Sequence, residues 1–100
     1  MKRLVGKSAL ITGAARGIGL HFAEAYVNEG ARVAIADINI ERALAAAKRL
    51  GDQVIAIEMD VTDQASIDNG VNMAATTFDG IDILINLSLI HISEPTRRRG

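Results

Sequence analysis

The chain has 100 residues, of which 49% are hydrophobic, 23% charged and 3% aromatic. Such a length fits one domain at most, and the lack of cysteine excludes disulfides, cysteine-ligated zinc and thiol catalysis. Eleven Lys and Arg against twelve Asp and Glu give a net charge of −1, which does not favour nucleic acid. No apolar run approaches the ~20 residues of a membrane helix. We therefore expect a cytoplasmic protein without a membrane or nucleic-acid partner.

Short apolar runs alternate with segments of helical periodicity in the first 86 residues. The first half predicts a strand at 8–12, a helix with Ile18, Phe22 and Ala25 on one face, closed by Gly30, a strand at 32–36 and a helix at 40–50 closed by Gly51. The second half predicts a strand at 54–57, a helix whose inner face is Ile67, Val71, Ala74 and Phe78, closed by Gly80, and a strand at 81–85.

The predicted order is therefore β-α-β-α-β-α-β. Apolar strands joined by helices favour parallel pairing, and right-handed crossovers give an open sheet with helices on both faces. This is a doubly wound α/β fold in which we expect the third strand to lie beside the first. After Asn86 the pattern stops, so we expect a partial domain at 1–86 and a tail at 87–100 that forms no domain.

The segment Thr12–Gly19 follows the first strand directly and opens the first helix. Free backbone N–H groups and the helix dipole at such a position favour a phosphate anion. Gly13 allows the tight turn, Gly17 lets the backbone approach a pyrophosphate, and Gly19 lets the helix pack closely on the sheet. Gly6–Ser8 has the ending of a P-loop, but it precedes a strand, so that interpretation fails.

Asp37 ends the second strand, 18 residues after Gly19. A carboxylate there can accept both hydroxyls of an adenosine ribose and would repel a 2′-phosphate. The alternative is a turn aspartate ahead of Asn39, which can cap the next helix. Arg16 is a counter-argument, since a basic residue in the glycine turn can hold a 2′-phosphate. After this glycine turn the ribose role is favoured, and with it NAD over NADP.

Asp60 and Val61 end the third strand. Asp60 can accept a hydrogen bond from an adenine amino group while Val61 packs against the ring. The alternative for Asp60 is a turn residue before a helix cap at Thr62 or Asp63. His21 has no second histidine nearby, which argues against a metal site. Tyr26 has no lysine four residues on, so we expect it to pack in the helix interface.

Taken together, Thr12–Gly19, Asp37, Asp60–Val61 and the strand at 82–86 resemble the N-terminal third of a short-chain dehydrogenase/reductase. The resemblance covers residues 4–86 and implies a Rossmann-type sheet truncated after its fourth strand. It implies that the pyrophosphate and adenosine are bound by Gly13, Arg16, Gly17, Ile18 and Gly19, the ribose by Asp37, the adenine by Asp60 and Val61, with Asn86 on the cofactor side. Residues 22–27 and 34–39 most resemble NAD-dependent polyol dehydrogenases of the sorbitol (L-iditol) 2-dehydrogenase type.

The resemblance implies a homo-oligomeric parent enzyme that transfers a hydride between NAD and a secondary alcohol or ketone. The family's catalytic serine, Tyr-x-x-x-Lys pair and supporting asparagine lie further along the chain than this sequence reaches. We therefore assign no catalytic residue and expect the chain itself to be inactive, although the parent would be an NAD(P)-dependent enzyme. The alternative is a stand-alone module that binds NAD or a protein partner without catalysis.

The family continues the fourth strand as Asn-Asn-Ala-Gly, whereas here Asn86 is followed by Leu-Ser-Leu. From Leu87 to Arg97 the sequence resembles the in-frame translation of a transposase-derived sequencing adapter. We therefore expect residues 87–100 to be an artefactual tail. His91, Glu94 and the arginines at 97–99 receive no role, which also removes the argument for a basic nucleic-acid-binding tail.

Overall fold

The computed structural model describes residues 2–13, 15 and 17–87. Its elements are β1 (Ser8–Thr12), α1 (Gly17–Asn28), β2 (Arg32–Asp37), α2 (Ile40–Leu50), β3 (Val54–Glu58), α3 (Gln64–Phe78) and β4 (Ile83–Asn86). The predicted alternation of strands and helices is confirmed. β4 begins two residues later than predicted, because the Asp82 carboxylate accepts a hydrogen bond from the Ser8 N–H at 2.9 Å ahead of the ladder.

The four strands form one parallel sheet in the order β3-β2-β1-β4. The expectation that the third strand lies beside the first is wrong, since β3 pairs with β2 and β1 pairs with β2 and β4. Two successive crossovers carry the chain outward from β1 in one direction. The third crossover returns across the sheet and places β4 on the other edge of β1.

Helices cover both faces of this sheet, as predicted. Right-handed crossovers in one direction place α1 and α2 on the same face, and the reversed crossover places α3 on the opposite face. Alternate residues of β1 accordingly enter different cores. Ile11 packs with Val33 and Ile35 in the core shared with α1 and α2, whereas Leu10 packs with Ile57 in the core under α3.

α1 faces the sheet differently from its hydropathy pattern. Ile18 and Phe22 lie on the exposed side and remain 68% and 39% exposed, while Gly19 and Ala23 are buried against the sheet. Small residues on the inner side let the helix backbone approach the strands closely. The predicted packing role of Tyr26 is confirmed, because its side chain lies partly buried against the same core.

The ends of α2 and α3 lie at or near the positions that their capping residues predict. α2 begins after Asn39, whose side chain accepts the Arg42 N–H, and ends at Gly51 as predicted. α3 begins after Asp63, one of the two predicted caps, and its left-handed end residue is Asp79 (φ 59°), one position before the predicted Gly80. Within the described ranges no helix is long and apolar enough to cross a bilayer.

Candidate nucleotide-binding site

The carboxyl ends of all four strands meet at one edge of the sheet. Gly13 follows β1, Asp37 ends β2, Asp60 lies just after β3, and Asn86 ends β4. In open parallel sheets ligands bind outside this edge, where the winding direction reverses. The reversal lies here between β1 and β4, so the predicted residues occupy the edge at which a ligand is expected.

The glycine turn after β1 has the geometry that its sequence predicts. Gly13 has a φ of 68° and its N–H donates to the Ala36 carbonyl at 2.7 Å, which ties the exit of β1 to β2. Gly17 has a φ of 64°, and a Cβ added to it would meet no atom within 4 Å. A glycine with open space in front of it therefore begins α1, where an anion is favoured.

Three further residues of the turn, Gly19, Ile18 and Arg16, are also predicted to bind the cofactor. Gly19 is buried on the inner side of α1, in agreement with its predicted packing role. Ile18 is exposed beside Gly17 at the start of the helix. Arg16, predicted to help bind the pyrophosphate and adenosine, lies outside the described residues.

A cavity of ≈ 180 Å³ opens beside this turn. Its lining residues are Gly13, Asp37, Ile38, Met59, Asp60, Val61 and Thr62. The structure thus brings together the glycine predicted for the turn, the aspartate predicted for the ribose and the pair predicted for the adenine. Sequence analysis missed Ile38, which is 65% exposed. The available signal was its position, an apolar residue directly after Asp37 and outside both flanking elements.

Asp37 performs the turn role that was its alternative assignment, and it also lines the cavity. Its Oδ1 accepts the Asn39 N–H at 3.0 Å. An ionised carboxylate has about four acceptor positions on two oxygens, so one local bond leaves acceptor capacity on the cavity side. The turn role and the predicted ribose role are therefore compatible.

Asp60 is held by two residues that follow it in the chain, Thr62 and Ser66. Its Oδ1 accepts hydrogen bonds from the Thr62 N–H at 2.9 Å and the Thr62 hydroxyl at 2.6 Å, while its own N–H donates to Ser66 Oγ at 2.9 Å. The bonds from the Thr62 hydroxyl and N–H lower the pKa of Asp60 below its ordinary value. The carboxylate is therefore an ionised acceptor at neutral pH.

Asn86 lies on the other side of β1 from this cavity. Thr12 and Asn86 are register partners in the β1–β4 pair, and the Thr12 hydroxyl donates to Asn86 Oδ1 at 2.7 Å. The bond orients the Asn86 amide at the point where the winding reverses. Sequence analysis assigned no role to the Thr12 side chain, because its partner is 74 positions away.

Within the described part of the chain, no three His, Asp or Glu side chains form a group that could hold a metal ion. His21 lies on the exposed side of α1. The described site therefore offers carboxylate acceptors, an apolar cavity wall and a glycine-bounded helix start.

Comparison with known proteins identifies the family. A family profile described as short chain dehydrogenase matches residues 7–98. Over 84 residues, 84% of this chain, the sequence is 63% identical to sorbitol dehydrogenase of Cereibacter sphaeroides. It is 53% identical over 93 residues to galactitol 2-dehydrogenase of Agrobacterium fabrum, and these regions are 33% and 36% of the two relatives.

A solved structure shows the same fold. The 3-ketoacyl-(acyl-carrier-protein) reductase from Brucella melitensis, complexed with NADH, superposes with a TM-score of 0.80 at 38% identity, over 82% of this chain and 34% of that one. This chain spans about a third of the length of the relatives that it matches. The profile match over most of its residues shows that the chain belongs to the short-chain dehydrogenase family.

Proposed function

We propose that this chain is the cofactor-binding part of an NAD-dependent short-chain oxidoreductase and that the cavity beside Gly13 receives the adenosine half of NAD. The observation that carries the proposal is the convergence of Asp37, Asp60 and Val61 on that single cavity. Asp37 ends β2, whereas Asp60 and Val61 lie in the segment between β3 and α3. The family membership and the NADH complex of the Brucella reductase support the same cofactor class.

The residues present fit an adenosine. Asp37 offers carboxylate oxygens at the end of β2 for ribose hydroxyls, and Asp60 is an ionised acceptor for an exocyclic amino group. Ile38 and Val61 supply apolar walls against which a base can pack. The open space in front of Gly17 leaves room for a pyrophosphate at the start of α1. A bound NAD would supply the hydride acceptor, and these residues would bind and orient its adenosine.

We infer a preference for NAD over NADP. A 2′-phosphate beside the Asp37 carboxylate would bring like charges together in a partly enclosed cavity. The competing argument rests on Arg16, which could pair with that phosphate. Asp37 is favoured because no basic residue directly follows it in the sequence, where Ile38 and Asn39 stand.

We infer that the whole protein transfers a hydride between NAD and a secondary alcohol or ketone, and that this substrate is a polyol such as sorbitol. The high identity to sorbitol dehydrogenase and galactitol 2-dehydrogenase supports that class. We further propose a cytoplasmic homo-oligomer for the whole protein. The 100-residue chain lacks a tyrosine–lysine pair at the family's spacing and is proposed to be inactive; a stand-alone NAD-binding or interaction module is the alternative.

We also propose that residues 87–100 carry no functional residue. The source DNA beyond Asn86 tests this proposal together with the alternative module. A reading frame that continues with Asn-Ala-Gly and later encodes Tyr-x-x-x-Lys supports a parent oxidoreductase. A genomic stop codon near residue 100 contradicts it and favours the stand-alone module.

Cofactor binding is tested directly by titrating the isotopically labelled chain with NAD and following backbone amide signals. We expect shifts at Gly13, Asp37 and Val61, with residues at the amino ends of the strands unchanged. An equal titration with NADP should give weaker binding. Shifts of the amide signals at the amino ends of the strands would contradict the proposal, and so would a titration in which no amide signal shifts.

A further inference from the structure

The first two turns of α3 face the short segment that carries Asp60. Ser66 and Gly70 are four residues apart and therefore lie on the same side of the helix. Ser66 Oγ accepts the Asp60 N–H at 2.9 Å. At Gly70, an added Cβ would clash with the end of the Met59 side chain. One face of α3 thus contacts two consecutive residues at the end of β3.

A larger residue at position 70 would require the end of the Met59 side chain to move. Met59 is 2% exposed, and the same added Cβ would lie 3.3 Å from Ile57, which is also buried. The Met59 side chain occupies the place that a helix side chain would otherwise take. Glycine is unfavourable inside a helix, so its presence at position 70 needs a structural reason, and the close approach of α3 to the end of β3 provides one. Gly70 thereby sets how near α3 lies to Met59.

The Ser66 hydrogen bond is not needed to begin the helix. Asp63 already caps α3 by accepting the Ala65 N–H at 3.1 Å. The Ser66 hydroxyl instead reaches across to the segment between β3 and α3. Asp60 lines both the candidate adenosine cavity and a second groove of ≈ 420 Å³ on the α3 side. The segment that carries Asp60 therefore separates the adenosine cavity from the groove, and Ser66 holds the backbone of that segment through its hydrogen bond with the Asp60 N–H.

We propose that Ser66 and Gly70 are positioning residues for adenine recognition. Ser66 holds the backbone of Asp60, and Gly70 sets the depth of Met59 beside it, so that Asp60 and Val61 face the cavity. Neither residue is placed in contact with the base itself. The inference rests on the proposed binding of adenosine in this cavity.

The test compares binding of AMP and IMP to the full 100-residue chain by calorimetry. IMP has a carbonyl where adenine has its amino group, so the ratio of the two affinities reports on the position of the Asp60 acceptor. We expect the unaltered chain to prefer AMP by about tenfold, the scale of a hydrogen bond to a charged group. Ser66→Thr and Ser66→Val form an isosteric pair of which only the threonine keeps the hydroxyl.

We expect Ser66→Thr to keep the preference for AMP and Ser66→Val to reduce it to within about twofold, the loss of one hydrogen bond. Thr77→Val is the matched control, because it removes a hydroxyl from the same helix that donates to the Met73 carbonyl instead. For Gly70, the Gly70→Ala chain should lose the preference, and adding Met59→Ala should restore it by making room. Restoration by truncating Met59 would not follow from a loss of stability alone, because that truncation itself removes buried apolar contacts.

The outcomes separate the two proposals. If the unaltered chain binds neither nucleotide, the proposed function fails, and this inference fails with it. If that chain prefers AMP and the Ser66→Val chain prefers it equally, only the role of Ser66 is overturned. If Gly70→Ala keeps the preference, or if Met59→Ala fails to restore it, the role of Gly70 is overturned.

Discussion

The two edges of the sheet use charged groups in opposite ways. At the amino ends of the strands, the Arg32 guanidinium donates to Ser8 Oγ at 3.0 Å and to the Phe78 carbonyl at 2.7 Å, and its centre lies 5.1 Å from the middle of the Phe78 ring. The Ser8 N–H donates to Asp82. These polar groups bond to one another and join the end of α3 to the sheet.

At the carboxyl ends, the Asp37 carboxylate accepts the Asn39 N–H and the Asp60 carboxylate accepts the Thr62 N–H and hydroxyl, and both residues line an open cavity. Local bonds fix their orientation and leave acceptor capacity toward the cavity. The difference shows how to separate fold from function in this molecule. Charges at the amino edge bond to other parts of the fold, whereas the carboxylates at the carboxyl edge face the cavity in which we propose that adenosine binds.

The largest effect is expected at the amino edge. Replacing Arg32 with Ala removes two hydrogen bonds of a charged donor, and we expect the free energy of unfolding to fall by about 2–3 kcal/mol. Urea unfolding followed by circular dichroism measures this loss. Arg49→Ala, at an exposed position on α2, is the control and should change little. AMP affinity of the folded Arg32→Ala chain should be unchanged; a large loss would show that the two edges are not separate.

The second effect belongs to the carboxyl edge. Replacing Asp37 with Asn removes the charge that disfavours a 2′-phosphate, and we expect the preference for NAD over NADP to fall about tenfold, or ~1.4 kcal/mol. Calorimetric titration with both dinucleotides measures the ratio. Asp52→Asn makes the same charge change at the opposite edge and should leave the ratio intact. An unchanged ratio in Asp37→Asn would argue against the ribose assignment.

A smaller effect is expected where β1 meets β4. Replacing Thr12 with Val keeps the shape of the side chain but removes the hydroxyl that donates to Asn86, and we expect a loss of about 1 kcal/mol in stability. Thr12→Ser keeps the hydroxyl and should retain most of this stability. Chemical denaturation of the two variants measures the difference. Equal destabilisation by both changes would mean that packing, rather than the hydrogen bond, explains the position.

The smallest effect depends on pH. Thr62 lowers the pKa of Asp60, so the folded state favours the ionised carboxylate. This stabilisation is present above the ordinary aspartate pKa of about 4 and is lost as the pH falls through the lower folded value. Replacing Thr62 with Val should therefore lower the urea midpoint slightly at pH 6, and the difference should shrink at pH 3. Thr62→Ser is the control; a difference independent of pH would contradict this origin.

Local chemistry carried much of the fold prediction. α2 matches its predicted bounds because Asn39 and Gly51 are strong cap and stop signals close to the residues that they act on. The inward face of α1 could not be predicted in the same way. Its buried residues, Gly19 and Ala23, have small side chains and carry little hydropathy signal, and the larger Ile18 and Phe22 point away from the sheet.

The amino-acid sequence by itself determined the strand–helix alternation, the glycine turn and the aspartates at the strand ends, because each depends on neighbouring residues. Only the tertiary structure decided that β3 lies beside β2, that Ile38 joins the cavity wall and that Gly70 receives the Met59 side chain. Those features depend on the direction in which each crossover winds and on how closely a helix approaches a strand. Both are set by packing between distant segments.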